Sequence, residues 1–183
     1  MSKIKIGVMG SVSDLGYSEE VERLAFKTGM EIAKMGAVLV FGIEPDADTL
    51  PTVAMRGAKT NGGITIGITV GKDKKVYNND CPEIVICSGL GSDGGREYAL
   101  AVSCDAIIAI GGGAGTLKEM ANAYSADIPL IAIKGTGGWS NKLIGQYMDD
   151  RKRLVVIGAD NASEAVTIAL HKAEKYREKF GIL

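Results

Sequence analysis

The sequence holds one His, three Cys and only four Pro in 183 residues. The lone His171 stands between Leu170 and Lys172 in the last helical stretch. It reads as a solvated-face residue, which argues against a Ser–His–Asp or Cys–His nucleophile. Cys81, Cys87 and Cys104 are odd in number and form no CxxC. A disulfide framework and a zinc site are therefore not expected, and a reducing cytoplasm fits. Cys87 and Cys104 sit in apolar runs and read as inert core. No apolar run approaches the roughly 20 residues that span a bilayer. The opening Met1 to Ile6 enters a strand pattern directly, so no signal peptide is expected. The net charge is -1, with short basic runs only at Lys72 to Lys75 and Arg151 to Arg153. Without a basic face, neither nucleic acid nor a membrane surface is an expected partner.

Glycine is plentiful, with 25 residues, and 46% of the chain is hydrophobic. This length supports one well-buried core, and we read residues 1–183 as a single domain. The glycines show no Gly-X-Y repeat and imply many tight strand-to-helix turns.

Short β-branched runs alternate with longer amphipathic ones. Strands are expected at Ile4 to Met9, Ala37 to Phe41, Ile64 to Val70, Ile84 to Cys87, Ala106 to Ile110, Leu130 to Ile133 and Leu154 to Ile157. Several are apolar on both faces, as strands covered by helices on each side must be. Helices are expected at Ser18 to Met35, Thr49 to Thr60, Gly95 to Ser103, Thr116 to Ala126, Asn141 to Met148 and Ala162 to Phe180. Ser18 is a natural N-cap, with Glu19 and Glu20 in the first turn and Gly36 at the far end. The pattern specifies an α/β fold: a doubly wound, mostly parallel sheet of about seven strands with helices on both faces. Ligands in such folds lie beyond the carboxyl ends of the strands, at the switch in strand order.

The loop after the fifth strand reads Gly111-Gly112-Gly113-Ala114-Gly115-Thr116-Leu117-Lys118-Glu119. Glycines let backbone N–H groups converge, and a following helix adds unpaired N–H groups and a positive dipole end. Together they make an anion cradle suited to phosphate. The loop lacks the G-K-[ST] ending of a Walker A motif. The plainer reading is a capping box, Thr116-x-x-Glu119, in which Glu119 only caps the helix.

The loop after the fourth strand contains Gly89, Gly91 and Gly94 in GxGxxG spacing. It lies outside the first βαβ unit and has no acidic partner for a ribose, so a dinucleotide role is disfavoured. Arg96 follows at a helix start, where the dipole disfavours a cation, so it either faces an anionic ligand or is simply exposed. Gly10 and Ser11, after the first strand, offer a hydroxyl and a turn. The loop after strand six, Gly135-Thr136-Gly137-Gly138-Trp139, carries the only Trp. Trp139 is placed either to stack on a flat ring or to pack against a neighbouring subunit.

Gly112 to Glu119 resembles the PGGxGTxxE motif of the LOG-like (Lonely Guy) proteins, once called lysine decarboxylases. The spacing of Arg96, Asp105 and Gly111 is similar to that family's Arg, Asp and PGG arrangement. Val8 to Ser11, Arg56 to Ala58 and Gly62 to Gly67 resemble further stretches, and Gly135 to Ser140 is similar to a segment of the molybdenum cofactor carrier branch. The resemblance spans Ile4 to Arg153.

It implies a Rossmann-like sheet and a homo-oligomer, dimer or tetramer. It also implies that the glycine cradle holds the phosphate; with the loop readings above, the expected ligand site comprises Gly10, Ser11, Gly89, Gly111, Gly112, Gly113, Ala114, Gly115, Thr116, Gly137 and Trp139. The leading expectation is a carrier-like binding protein for a phosphorylated nucleotide or molybdopterin-type ligand, with no cofactor required. The alternatives are a nucleoside 5′-monophosphate phosphoribohydrolase, with Arg96 and Glu119 catalytic, and a non-catalytic nucleotide-sensing scaffold. In the hydrolase, a carboxylate beside the anomeric carbon is the essential group.

The chain departs from the motif in four places. Gly111 replaces its Pro, Glu97 the Lys after Arg, and Leu100 its Met, while Gly42 to Asp48 replaces a glycine-rich loop. Glu44, Asp46 and Asp48 in that loop would repel a phosphate unless a metal or a base edge met them.

Overall fold

The computed structural model describes residues 2–91 and 95–182. Seven strands are formed: β1 Lys5–Gly10, β2 Val38–Gly42, β3 Thr65–Thr69, β4 Ile84–Cys87, β5 Ala106–Ile110, β6 Leu130–Ile133 and β7 Ile157–Ala159. Six α-helices run between or after them: α1 Glu19–Lys34, α2 Leu50–Thr60, α3 Arg96–Val102, α4 Ala114–Ser125, α5 Gly138–Leu143 and α6 Ala162–Phe180. The sheet order is β4-β3-β2-β1-β5-β6-β7, with every neighbouring pair parallel.

Alternation along the central strands divides the core into two layers. Ile6, Val8, Leu39, Phe41, Ile108 and Ile110 point toward α1, α2 and α6. Met9, Val38, Val40, Ile107 and Ala109 point toward α3 and α4. Both layers are buried, which is why β1, β2, β5 and β6 are almost continuously apolar. Two glycines set the spacing of α1 on α2. A Cβ at Gly29 would stand 1.7 Å from the Ala54 carbonyl oxygen, and one at Gly57 would stand 2.0 Å from that of Phe26.

Three elements differ from the sequence expectation by more than one residue. The last strand begins at Ile157, because Val155 and Val156 bridge to Tyr147 and Ile144 instead of β6. Helix α5 runs from Gly138 to Leu143 and not from Asn141 to Met148. Its start is drawn forward because Trp139 and Ser140 donate their N–H groups to the carbonyls of Gly112 and Gly111, at 2.9 and 3.1 Å. Helix α4 begins at Ala114, two residues before Thr116. Strand β4 is a sheet edge, with Ile84 and Ile86 each 45% exposed.

The chain runs outward from β1 through β2, β3 and β4 on one side, and from β5 through β6 and β7 on the other. The loops that leave β1 and β5 therefore part in opposite directions and open a crevice between them.

Candidate functional site

The crevice is built around the loop that follows β5. Gly111 and Gly112 have φ of +66° and +98°. A Cβ at Gly111 would lie 2.6 Å from Ser11 Oγ, and one at Gly112 2.4 Å from Thr116 Cβ, so both positions require glycine. The Gly112 N–H donates to Ser11 Oγ at 2.8 Å, and the Gly111 N–H donates to Thr136 Oγ1 at 3.0 Å. These two amides are engaged within the protein, which narrows the expected cradle to Gly113 through Thr116. Gly113 is the N-cap of α4 and brings no capping side chain, so the first-turn N–H groups have no partner within the helix. A Cβ on Gly115 would meet nothing within 4 Å, so the turn opens outward.

The capping-box reading does not hold. Thr116 lies inside the helix, and its hydroxyl donates to the Gly10 carbonyl at 3.2 Å. Glu119 is two turns' reach away from the cap and buried, 8% exposed, against a cleft of about 250 Å³. That cleft is bounded by Gly10, Gly42, Glu44, Arg96, Glu97 and Gly113 to Thr116.

Arg96, 6% exposed, donates from Nη2 to Glu44 and, at 3.4 Å, to Glu97. The anion it was expected to face is thus partly supplied by its own chain. Burial alone would lower the guanidinium pKa, but Glu44, Glu119 and Glu97 around it raise it. Burial pushes the Glu119 carboxyl from 4.5 up to about 8; Arg96 opposes this, while Glu97 and Glu44 reinforce it. Two buried polar atoms, Arg96 Nε and Glu97 Oε2, have no partner among the described residues. Sequence reasoning missed Gly42, where a Cβ would stand 1.8 Å from Arg96 Nη1. It also did not pair Glu44 with Arg96.

The three acids after β2 do not converge. Glu44 turns to Arg96, Asp48 binds Arg56 at 2.9 Å, and Asp46 is exposed. Among the described residues, no group of three or more His, Cys, Asp or Glu is arranged to hold a metal. Asp105 lies at the opposite end of the sheet, where its carboxylate accepts the Lys5 N–H at 2.8 Å.

A second cleft, of about 460 Å³, lies across the glycine loop and shares Leu15 and Gly113 with the first. It gathers Ser11, Gly112, Gly137 and Trp139. Trp139 is 37% exposed, and Lys142 Nζ sits 4.9 Å from its ring centroid. Gly89 does not join either cleft. It is exposed beyond the edge strand and its N–H bonds to the Gly71 carbonyl. Gly94, the third glycine of the GxGxxG spacing, lies outside the described residues with Ser92 and Asp93. His171 is exposed on α6, and Cys104 is buried, with its thiol pKa pushed up by burial. Cys87, expected in the core, is only half-buried because β4 is an edge.

Comparison with known proteins places the fold and the family. An uncharacterised protein of Archaeoglobus fulgidus is 34% identical over 134 residues, covering 73% of this chain and 82% of the relative. The molybdenum cofactor binding protein from Rippkaea orientalis superposes with a TM-score of 0.76 at 30% identity, covering 96% of this chain and 99% of that one. The Moco carrier protein of Chlamydomonas reinhardtii superposes with a TM-score of 0.78 at 29% identity, covering 95% and 99%. The SLOG cluster4 family matches residues 3–166. The chain therefore belongs to the SLOG cluster4 family, within the LOG-like superfamily, and its solved structural neighbours include molybdenum cofactor carrier proteins.

Proposed function

We propose that this protein binds a phosphorylated nucleotide- or pterin-type ligand and holds it unchanged, in the manner of a carrier. One observation carries the reading. The first turn of α4, with no capping side chain and an open face at Gly115, borders a crevice at the switch in strand order. Such a turn favours a phosphate through unpaired N–H groups and the helix dipole. A molybdopterin-type cargo presents a terminal phosphate that suits this turn, and the named function of the structural neighbours supports it. Free cysteines suit a reducing cytoplasm. Exposed Ile84 and Ile86 on β4, with Tyr98 and Val102 on α3, support self-association into a dimer or tetramer. None of the described helices is long and apolar enough to cross a membrane.

The test is Gly115→Asp. The new Cβ has open space, and an acid in the first turn suits the helix dipole, so the fold is retained. The carboxylate then occupies the anion position. Equilibrium dialysis should show guanosine 5′-monophosphate held roughly tenfold or more weakly, with thermal stability unchanged or slightly raised. Undiminished binding would sink the reading.

The second reading, a phosphoribohydrolase, is favoured by one fact: Arg96 and Glu119 line the same cleft as the α4 turn. Against it, a carboxyl with a pKa of about 8 is mostly protonated at neutral pH. A neutral acid gives little stabilisation to an oxocarbenium-like ribose. Incubation with a panel of nucleoside 5′-monophosphates, with Glu119→Ala alongside, separates the two. Free base from the wild type alone, rising as pH passes 8, makes this an enzyme; no release supports the carrier.

A further inference from the structure

We propose that the second cleft is the ring subsite, with Trp139 as the stacking platform for a planar heteroaromatic group whose phosphate rests on the head of α4. This rests on the binding reading above and deepens it.

The size and lining of the two clefts decide where the bulk of the ligand goes. The first is lined by Asp14, Glu44, Glu97 and Glu119 against Arg96 alone. The second has one charged residue in its lining, Lys142. It is also the larger, at about 460 Å³ against about 250 Å³. Gly113 lines both, so a phosphate at the α4 turn stands on the divide. Its attached ring has more room in the second cleft, where the half-exposed indole of Trp139 offers it a face.

The platform is tied to the phosphate turn. Trp139 and Ser140 donate their backbone N–H groups to Gly112 and Gly111, the two residues that lead into the turn. Gly138, with φ of +62°, has no room for a side chain: its Cβ would lie 2.5 Å from the Gly111 carbonyl carbon. The indole is therefore carried at a set distance from the anion position. Beside it, Cβ atoms at Gly135 and Gly137 would meet nothing within 4 Å, which leaves space along the loop. The Lys142 ammonium over the ring shows that its face is reachable and puts a cation next to the platform.

The arrangement also accounts for holding without cleavage. Glu119 lines the first cleft and not the second. A ligand whose ring lies on Trp139 directs its glycosidic bond, where it has one, away from that carboxyl.

Trp139 is the only Trp in the chain, so its emission reports this cleft directly. The probes are guanosine 5′-monophosphate and neopterin monophosphate, which carry rings, and ribose 5-phosphate, which does not. We expect the ring-bearing probes to quench Trp139 emission in the intact protein. Trp139→Ala should weaken them roughly 5- to 150-fold, the range of a lost base–aromatic stack, and leave ribose 5-phosphate unchanged. Trp139→Phe should restore most of the affinity. Retention of the ring-bearing probes in dialysis, with unchanged emission and no effect of Trp139→Ala, overturns the ring subsite but leaves the binding function standing. Retention of none of the three probes overturns both.

Discussion

Replacing Glu119 with Gln keeps the shape of the side chain and removes only its ability to ionise. The Glu119 carboxyl titrates near 4.5 in the unfolded chain and near 8 in the folded one, where burial dominates. The folded state thus binds this proton more tightly. Its contribution to stability is complete below pH 4.5, is lost as pH rises from 4.5 to 8, and is flat above that. A difference of this size corresponds to a loss on the order of 5 kcal/mol. Glu119→Gln, neutral at every pH, escapes that loss. Urea unfolding of wild type and variant, followed by circular dichroism between pH 4 and 9, is the assay. The two should nearly coincide at the acid end, and the variant should be several kcal/mol more stable at pH 9. Comparing the pair cancels the titration of every other group. A gap that stays constant from pH 4 to 9 would refute the argument that Glu119 is held neutral by burial.

Other perturbations follow from single contacts. Gly138→Ala forces a Cβ to within 2.5 Å of the Gly111 backbone at a φ of +62°; a loss of roughly 2–4 kcal/mol is expected by chemical denaturation. Asp105→Ala leaves the Lys5 N–H without its carboxylate and should cost roughly 1–2 kcal/mol. Because Asp105 lies at the far end of the sheet, dialysis should show no change in nucleotide affinity. With iodoacetamide on the native protein, exposed Cys81 should label quickly and buried Cys104 only after unfolding, which peptide mass mapping would resolve.

The glycine loop shows how far sequence reading reached. Gly111 to Thr116 was recognisable because clustered glycines before a helix have few other uses. The sharing of its amides was not. Gly112 is capped by Ser11, 101 residues away in sequence, and Gly111 by Thr136, 25 residues away. Arg96 stood out as a cation at a helix start, yet its partner Glu44 is 52 residues distant. Gly89 looked equivalent to the other glycines, and only the edge position of β4 removed it from the crevice.

The sequence by itself determined the alternation of strands and helices, the two-faced apolar character of the central strands and the family. Those are properties of neighbouring residues, written in periods of two and 3.6. Tertiary structure decided the rest. The strand order put β1 beside β5 and so opened the crevice where the two glycine loops part. Packing of α3 and α4 on one face buried Arg96, Glu97 and Glu119 together and set the protonation of Glu119. Desolvation and Coulomb interaction depend on distance in space, and no local pattern along a chain encodes them.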